Sequence, residues 1–255
     1  MRISFLAAAG LLLAAAASAS YASDVALKPT KVQLAAVADA NRPKEDVQRD
    51  AERKPADMLA FAGVKPGDKV ADLIPGKGYF TRLFADVVGP KGMVYMYEPS
   101  EFAKFAKSPL PANGAHPDPA RPNIVFLIGP ANDFATPQKL DIVWTSQNYH
   151  DLKDSFAAPA DTARVNKAVF AALKPGGVYI VLDHVATPGT ADATEKLHRI
   201  DPAIVRQEVE AAGFVFDGET DVLRNPNDPH DVKVFDPSIR GRTDQFVYRF
   251  RKPKS

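Results

Sequence analysis

The chain has 255 residues, of which 45% are hydrophobic and 25% are charged, with 22 prolines and no cysteine. This is an ordinary globular composition, and it excludes disordered, collagen-like and disulfide-scaffold classes. The formal charge is +1, because 32 basic side chains balance 31 acidic ones, so we expect no nucleic-acid partner and no polybasic membrane contact. The absence of cysteine also excludes thiolate metal sites and cysteine nucleophiles.

Residues 1–22 have the pattern of a secretory signal peptide. Arg2 precedes an apolar run over residues 5–17, and small residues follow, which predicts cleavage after Ala19 or Ala22. The apolar run is shorter than the ~20 residues that span a bilayer, although an uncleaved N-terminal anchor is the alternative. We therefore expect a periplasmic or secreted protein, with no stable membrane insertion after signal cleavage.

The remaining chain alternates predicted strands and helices. Residues 23–55 read as a polar N-terminal extension with a short helix at 45–53, and residues 56–255 as one domain. Apolar runs closed by glycine, proline or an acid predict strands; they cover residues 70–74, 93–97, 123–128, 140–145, 178–182, 214–220 and 245–250. Helical patterns lie between them, at residues 56–62, 81–88, 100–107, 161–173 and 204–212.

This alternation predicts the fold class. Apolar strands separated by helices form a parallel sheet that is covered on both faces. The last two strands have no helix between them, so an antiparallel pair is the simplest connection. We expect an α/β fold: a doubly wound, mostly parallel, seven-stranded Rossmann-like sheet with a C-terminal antiparallel strand.

A glycine turn and a downstream acid form the main functional motif. Gly76 and Gly78 follow the first strand directly, and a helix begins after them. Glycines there allow a ligand close to the backbone, at the edge of the sheet where doubly wound folds bind ligands. Glu98 ends the next strand, where an acid can accept hydrogen bonds from a ribose. Together these features predict a nucleoside-type ligand.

At this point the sequence resembles class I S-adenosylmethionine-dependent methyltransferases. Their first motif is an acid followed by alternating glycines, and this chain has Asp72, Gly76 and Gly78 in that pattern, with Ile74 where the family has its first glycine. The resemblance extends over residues 56–252 and includes the LKPGG segment at 173–177. More narrowly, it resembles a group of predicted secreted bacterial methyltransferases with PGxGYFTR, NYHD, LHRID and RGxTDxF segments, here at 75–82, 148–151, 197–201 and 240–246.

The resemblance implies S-adenosylmethionine as cofactor and assigns roles to individual residues. Asp72 would bind the methionine amino group, and Glu98 would hold the ribose hydroxyls. The cofactor would lie against the turn formed by Ile74, Pro75, Gly76 and Gly78. Asn132 and Asp133 would lie near the adenine, and Gln147 would face the sulfonium and the substrate.

Three histidines lie where such a fold places its chemistry. His150 and Asp151 follow the fourth strand, His184 ends the fifth, and His198 precedes the last helix. Methyl transfer needs orientation of the nucleophile and often a base, a role that suits histidine. We predict His150, Asp151 and His184 as catalytic residues, with His150 as the preferred base and His184 as the second choice.

The sequence leaves alternative interpretations open for metal binding and for function. No metal site is predicted, because HxH and HxxxH spacings are absent; the alternative is an ion held by several of His150, Asp151, Asp183, His184, His198 and Asp201. The predicted function is methyl transfer to an O, N or S nucleophile of a small molecule. A non-catalytic ligand-binding or accessory protein on the same fold is the alternative, and an NAD-dependent oxidoreductase is disfavoured by the glycine spacing.

Overall fold

The fold is a single seven-stranded sheet with helices on both faces. The computed structural model describes residues 27–157 and 160–254; the predicted signal segment, residues 1–22, lies outside them. The strands are β1 (Lys69–Leu73), β2 (Met93–Pro99), β3 (Ile124–Gly129), β4 (Leu140–Ser146), β5 (Leu173–His184), β6 (Val215–Glu219) and β7 (Gln245–Arg251). Their spatial order is β3-β2-β1-β4-β5-β7-β6.

The predicted mixture of parallel and antiparallel pairing is confirmed. Strands β1 to β5 pair in parallel. Strand β7 lies between β5 and β6 and is antiparallel to both. Strand β6 is therefore an edge strand, and the long connection that follows it brings β7 between β5 and β6.

Eight helices accompany the sheet in the described part of the chain. They are α1 (Lys31–Val37), α2 (Lys44–Val47), α3 (Asp50–Arg53), α4 (Pro55–Ala62), α5 (Tyr79–Val88), α6 (Thr162–Ala172), α7 (Ala193–Leu197) and α8 (Pro202–Ala211). Asp161 and Asp201 are the N-cap residues of α6 and α8. Their carboxylates accept hydrogen bonds from backbone N–H groups of the first helical turn. None of the described helices combines the length and apolar character needed to cross a bilayer.

Two buried apolar clusters cover the two faces of the sheet. Residues of α1, α4 and α5 pack on one face with Trp144, and residues of α6 and α8 pack on the other. Trp144 is fully buried, and its ring lies 4.6 Å from that of Phe80. Because strand residues contribute to both clusters, the central strands have apolar residues facing both sides, which is the pattern that made them predictable.

Two predicted helices differ from the structure. Residues 100–107 contain only one 3₁₀ turn, Ala103–Phe105. The rings of Phe102 and Phe105 both pack on Phe156, and prolines follow at once, so local aromatic packing replaces a helix. The helix predicted at 45–53 is divided into α2 and α3. It ends at Lys54 in the left-handed region (φ 46°), because the residue before a proline avoids the right-handed helical conformation.

The N-terminal extension packs tightly on the domain. Asp50 of α3 accepts hydrogen bonds from the guanidinium of Arg42 and from the hydroxyl of Tyr79, the latter at 2.6 Å. Asp46 of α2 pairs with Arg82 of α5 at 2.7 Å. These ion pairs place α2 and α3 over the carboxyl end of β1, so the extension forms part of the site described next.

Candidate active site at the carboxyl edge of the sheet

The glycine turn connects β1 to α5 through three residues in the left-handed region. Ile74, Gly76 and Gly78 have φ angles of 59°, 55° and 74°. A Cβ atom built on Gly76 would meet no described atom within 4 Å, so the space beside the turn is open. Alternate left-handed residues keep the backbone close to that space, as a ligand-binding turn requires.

Ile74 occupies a conformation that β-branched residues rarely adopt. A left-handed conformation costs an L-residue about 1–2 kcal/mol. The residue is held there because its N–H donates to Tyr97 at 3.0 Å and its carbonyl accepts from Asn148 at 2.8 Å. Its side chain is only 7% exposed and belongs to the core cluster. Burial of the isoleucine side chain thus offsets the backbone cost at a position where the resembling family has glycine.

A cavity of about 330 Å³, which we call the turn cavity, opens beside the glycine turn. It is lined by five residues predicted as cofactor ligands, Asp72, Ile74, Pro75, Gly76 and Gln147. The remainder of its wall comes from α2, α3 and α5 and from the end of β4, including Asp46, Arg49, Arg53, Tyr79, Phe80, Ser146 and Asn148.

Two carboxyl groups at the carboxyl ends of β1 and β2 have strongly raised pKa values. Burial raises the pKa of Asp72 to about 7, although a 2.6 Å hydrogen bond from Thr81 and the charge of Arg53 oppose the shift. Burial, and then the neighbouring Asp72, raise the pKa of Glu98 to about 7. A buried acid of this kind gains most from a ligand that brings a positive charge or hydrogen-bond donors.

Arg53 was missed by sequence reasoning. Its guanidinium donates to Gln147 at 2.7 Å and lies 5.1 Å from the ring centre of Tyr79 and 5.6 Å from that of Phe80. Burial, followed by repulsion from Arg49, lowers its pKa to about 10. The Nε of Arg53 and the Oγ of Ser146 are buried and have no hydrogen-bond partner among the described residues. Unpaired polar atoms in a cavity wall fit a polar ligand.

Four other predicted cofactor residues do not line the turn cavity. Glu98 lies at the end of β2, where its carboxyl group is a neighbour of Asp72. Gly78 is the residue that precedes α5, in the left-handed region. Asn132 and Asp133 line a separate surface cavity of about 570 Å³. The side chain of Asp133 is 64% exposed and pairs with Arg164, while Asn132 accepts from the backbone of Asp161. The structure does not bring these two residues to the turn cavity.

A second cavity, of about 440 Å³, adjoins the first and is called the histidine cavity here. Arg49 and Gln147 line both cavities. The rest of its wall comprises Glu52, His184, Val234, Phe235, Arg240, Gly241, Thr243 and Gln245. The Nδ1 of His184 lies 2.8 Å from the hydroxyl of Thr243, and burial lowers the pKa of His184 to about 3. His184 is therefore neutral over the physiological range.

His150 is held away from both cavities. Its Nδ1 lies 2.8 Å from the fully buried carboxylate of Asp183, which also accepts the backbone N–H groups of His150 and His184. Its Nε2 lies 3.1 Å from Asp151 and 3.3 Å from His198. Burial lowers the pKa of His150, but Asp183 and Asp151 outweigh it and raise that pKa to about 10. His184, the second choice as base, is thus the histidine that reaches a cavity.

Comparisons with known proteins agree with this fold. A protein-L-isoaspartate O-methyltransferase of Ignicoccus hospitalis is 30% identical over 125 residues, covering 49% of this chain and 51% of that protein. A ubiquinone/menaquinone biosynthesis C-methyltransferase of Shewanella piezotolerans is 31% identical over 128 residues, covering 49% of this chain and 46% of that protein. The chain thus spans about half the length of the curated relatives it matches. No protein-family model matches it.

The solved structures extend the likeness to most of the chain. A crystal structure of a SAM-dependent methyltransferase from Aquifex aeolicus superposes with a TM-score of 0.53 at 14% identity, over 82% of this chain and 93% of that one. The chain therefore has the fold of class I S-adenosylmethionine-dependent methyltransferases. The curated relatives above and this neighbour are all methyltransferases.

Proposed function

We propose that the protein is an S-adenosylmethionine-dependent methyltransferase whose turn cavity holds the cofactor. The observation that carries the proposal is the placement of the acid-and-glycine motif. Asp72, Gly76 and Gln147 converge on one cavity at the carboxyl edge of a methyltransferase-type sheet. Ligands of doubly wound folds bind at this edge, where the strand order reverses between β1 and β4.

The chemistry of the residues in and beside the turn cavity fits the cofactor. Asp72 in its wall would accept hydrogen bonds from the methionine ammonium. Glu98, a neighbour of Asp72 that does not itself line the cavity, would accept hydrogen bonds from the ribose hydroxyls. Gly76 leaves room for the ligand against the backbone. S-adenosylmethionine, when bound, supplies an activated methyl group on a sulfonium. Arg53 holds Gln147 in place at the boundary between the cavities.

The histidine cavity is the proposed substrate site. It shares Arg49 and Gln147 with the turn cavity, so a nucleophile in it lies next to the cofactor site. His184 is neutral and would accept the proton that an O, N or S nucleophile loses during methyl transfer. With a volume of about 440 Å³, the cavity suits a small molecule. His150 and Asp151 support this wall rather than touch the substrate.

Binding calorimetry with S-adenosylmethionine tests the proposal. Wild-type protein should bind one equivalent, and Glu98→Ala should weaken binding about tenfold or more through loss of hydrogen bonds to the ribose. Asp133→Asn is the matched control: this acid lines a different cavity and pairs with Arg164, whereas Glu98 is a neighbour of Asp72, so binding should be unchanged in the control. Absence of both binding heat and thermal stabilisation in the wild type would refute the proposal.

A non-catalytic ligand-binding protein is the second candidate, and two observations favour it. Ile74 replaces the first family glycine, and residues 1–22 have a signal-peptide pattern although the cofactor is made in the cytoplasm. Binding without methyl transfer to any of a panel of small O, N and S nucleophiles would favour this candidate. Methyl transfer that His184→Ala slows without weakening cofactor binding would favour the enzyme.

We further propose that the protein is exported to the periplasm or secreted. The support is the basic, apolar and small-residue pattern of residues 1–22. Intact mass of the protein from a cell envelope or medium fraction should begin at residue 20 or 23. A mass that retains residues 1–19 would contradict cleavage.

A further inference from the structure

Three potential metal-ligand atoms converge between the end of β4 and α7. The Nε2 of His150 lies 3.1 Å from an Oδ of Asp151 and 3.3 Å from the Nδ1 of His198. The third side of this triangle, from His198 Nδ1 to the same Asp151 oxygen, is 3.4 Å. The three residues are named the triad below.

The hydrogen bonding of His150 directs a lone pair into this triangle. The Nδ1 faces Asp183, a buried carboxylate that can only accept, so the ring hydrogen lies on Nδ1. In the neutral ring, Nε2 is then an acceptor, and it faces a carboxylate oxygen and a second imidazole. Such a carboxylate–histidine pair is the usual outer support of a metal-ligating histidine. A cation in the triangle would satisfy all three converging atoms.

We propose that the triad binds a Zn²⁺ ion through His150 Nε2, Asp151 Oδ and His198 Nδ1. Ligands about 2.0–2.1 Å from a tetrahedral zinc lie roughly 3.4 Å from one another, close to the three separations found here. Two imidazoles and one carboxylate suit zinc better than Mg²⁺ or Ca²⁺, which prefer oxygen ligands only. The assignment is independent of the proposed methyl transfer.

The surroundings of the triad favour a cation. Asp183 is fully buried behind His150, and Asp154, also buried, has an Oδ1 without a hydrogen-bond partner among the described residues. The nearby basic side chains are engaged elsewhere, since Lys153 pairs with Glu208 and Arg199 pairs with Asp228. A cation at the triad would therefore lie beside these carboxylates and take the place of the proton on His150 Nε2.

The triad is also rigid and reachable. Asp151 lies in the 3₁₀ turn His150–Lys153, and His198 ends α7 in the left-handed region at φ 53°. A histidine held in that conformation has its side chain fixed by the surrounding structure. The Asp151 and His198 side chains are 17% and 19% exposed, so an ion can enter from solvent and keep a fourth position for water or another ligand.

Metal binding by the whole mature protein tests the proposal. Protein stripped with a chelator and dialysed against Zn²⁺ should retain one equivalent by elemental analysis. Co²⁺ in its place should give the intense visible absorption of a tetrahedral site. His198→Asn, which tolerates the left-handed backbone, and Asp151→Asn should each weaken Zn²⁺ binding about 100-fold or more. Asp183→Asn should weaken it about 10- to 100-fold, as loss of an outer carboxylate does.

His116→Asn is the matched control, because this exposed histidine bonds only to the carbonyl of Pro122 and lies outside the triad. It should bind Zn²⁺ as the wild type does. Thermal unfolding without metal checks that each variant is folded. The proposal is overturned if wild-type protein retains no stoichiometric Zn²⁺, or if folded His198→Asn and Asp151→Asn both bind it with unchanged affinity.

Discussion

The buried carboxylate of Asp72 accepts a 2.6 Å hydrogen bond from the hydroxyl of Thr81, which joins the end of β1 to the first turn of α5. The glycine turn lies between these two residues. Its two ends are therefore fixed by a side-chain contact as well as by the sheet. The acid of the motif thus stabilises the fold of the turn as well as lining the turn cavity.

The first prediction concerns the pH dependence of stability. Burial raises the pKa of Asp72 from 3.8 to about 7 in the folded protein. Thr81, Arg53 and Arg82 oppose this shift, and the neighbouring Glu98 has a raised pKa in the same range. As the pH rises, the unfolded chain loses this proton near pH 4, whereas the folded protein keeps it until about pH 7. The free energy of unfolding therefore decreases as the pH rises from about 4 to 7. The loss attributable to Asp72 is on the order of 4 kcal/mol.

Asp72→Asn should therefore flatten the dependence of the free energy of unfolding on pH across this window. Urea denaturation at several pH values measures it. Parallel curves for variant and wild type would show that Asp72 has an ordinary pKa.

The second prediction concerns cofactor affinity and pH. Because Asp72 and Glu98 both have pKa values of about 7, they are largely protonated at pH 5.5. Affinity for S-adenosylmethionine should rise as pH increases from 5.5 to 8, up to about tenfold per pH unit for each group that must ionise. Calorimetric titrations should give a shallower slope for Glu98→Gln than for the wild type; equal slopes would exclude Glu98 from the coupling.

The third prediction concerns Ile74, where the free-energy cost of the left-handed backbone and the stabilisation from side-chain burial can be measured separately. Ile74→Ala should lower stability by about 2–5 kcal/mol, because a buried side chain is lost. Ile74→Gly should be about 1 kcal/mol more stable than Ile74→Ala, since glycine adopts φ 59° without cost.

Ile180, buried in β5 and regularly paired with β4 and β7, is the matched control. There the order should reverse, with alanine more stable than glycine by about 0.5–1 kcal/mol. Chemical denaturation of the four variants measures both differences, and the same order at both positions would contradict the argument.

The fourth prediction concerns the ion pair of Arg199 and Asp228. Both side chains are fully buried and joined by two hydrogen bonds of 2.8 and 3.0 Å, and Asp228 also accepts the backbone N–H of Asp244 at 2.7 Å. Asp228→Ala leaves a buried guanidinium without its partner and should cost about 3–5 kcal/mol.

The exposed pair of Arg206 and Glu210 on α8 gives the comparison. Glu210→Ala should change stability by less than about 1 kcal/mol. Urea denaturation measures the change in the free energy of unfolding for both variants. Equal changes for Asp228→Ala and Glu210→Ala would contradict the prediction that the buried pair contributes more than the exposed one.

Much of the fold was predictable because it depends on local patterns. Each parallel strand is a short apolar run closed by a turn residue, and the glycine turn follows β1 as the motif predicts. Asp72 and Gly76 of that motif share one cavity because the turn itself places them there. Gln147, which follows β4 and was assigned to the site by the family resemblance, lines the same cavity.

The rest of the site depends on contacts that no local pattern encodes. Arg49 and Arg53 lie in a polar segment without periodicity, and only the ion pairs of α2 and α3 with α5 bring them over the cavity. His150 and His198 are separated by 48 residues and meet because α7 turns back on the end of β4. Asn132 and Asp133 follow β3 as predicted, yet face a different surface cavity.

The position of β7 between β5 and β6 has a consequence for the order of synthesis. Strand β6 pairs only with β7, so residues 215–219 have no partner until residues 245–251 have left the ribosome. The same stretch supplies Thr243 and Gln245 to the wall beside His184. A nascent chain of this protein therefore lacks two strands of its sheet and part of the wall beside His184 until translation is almost over.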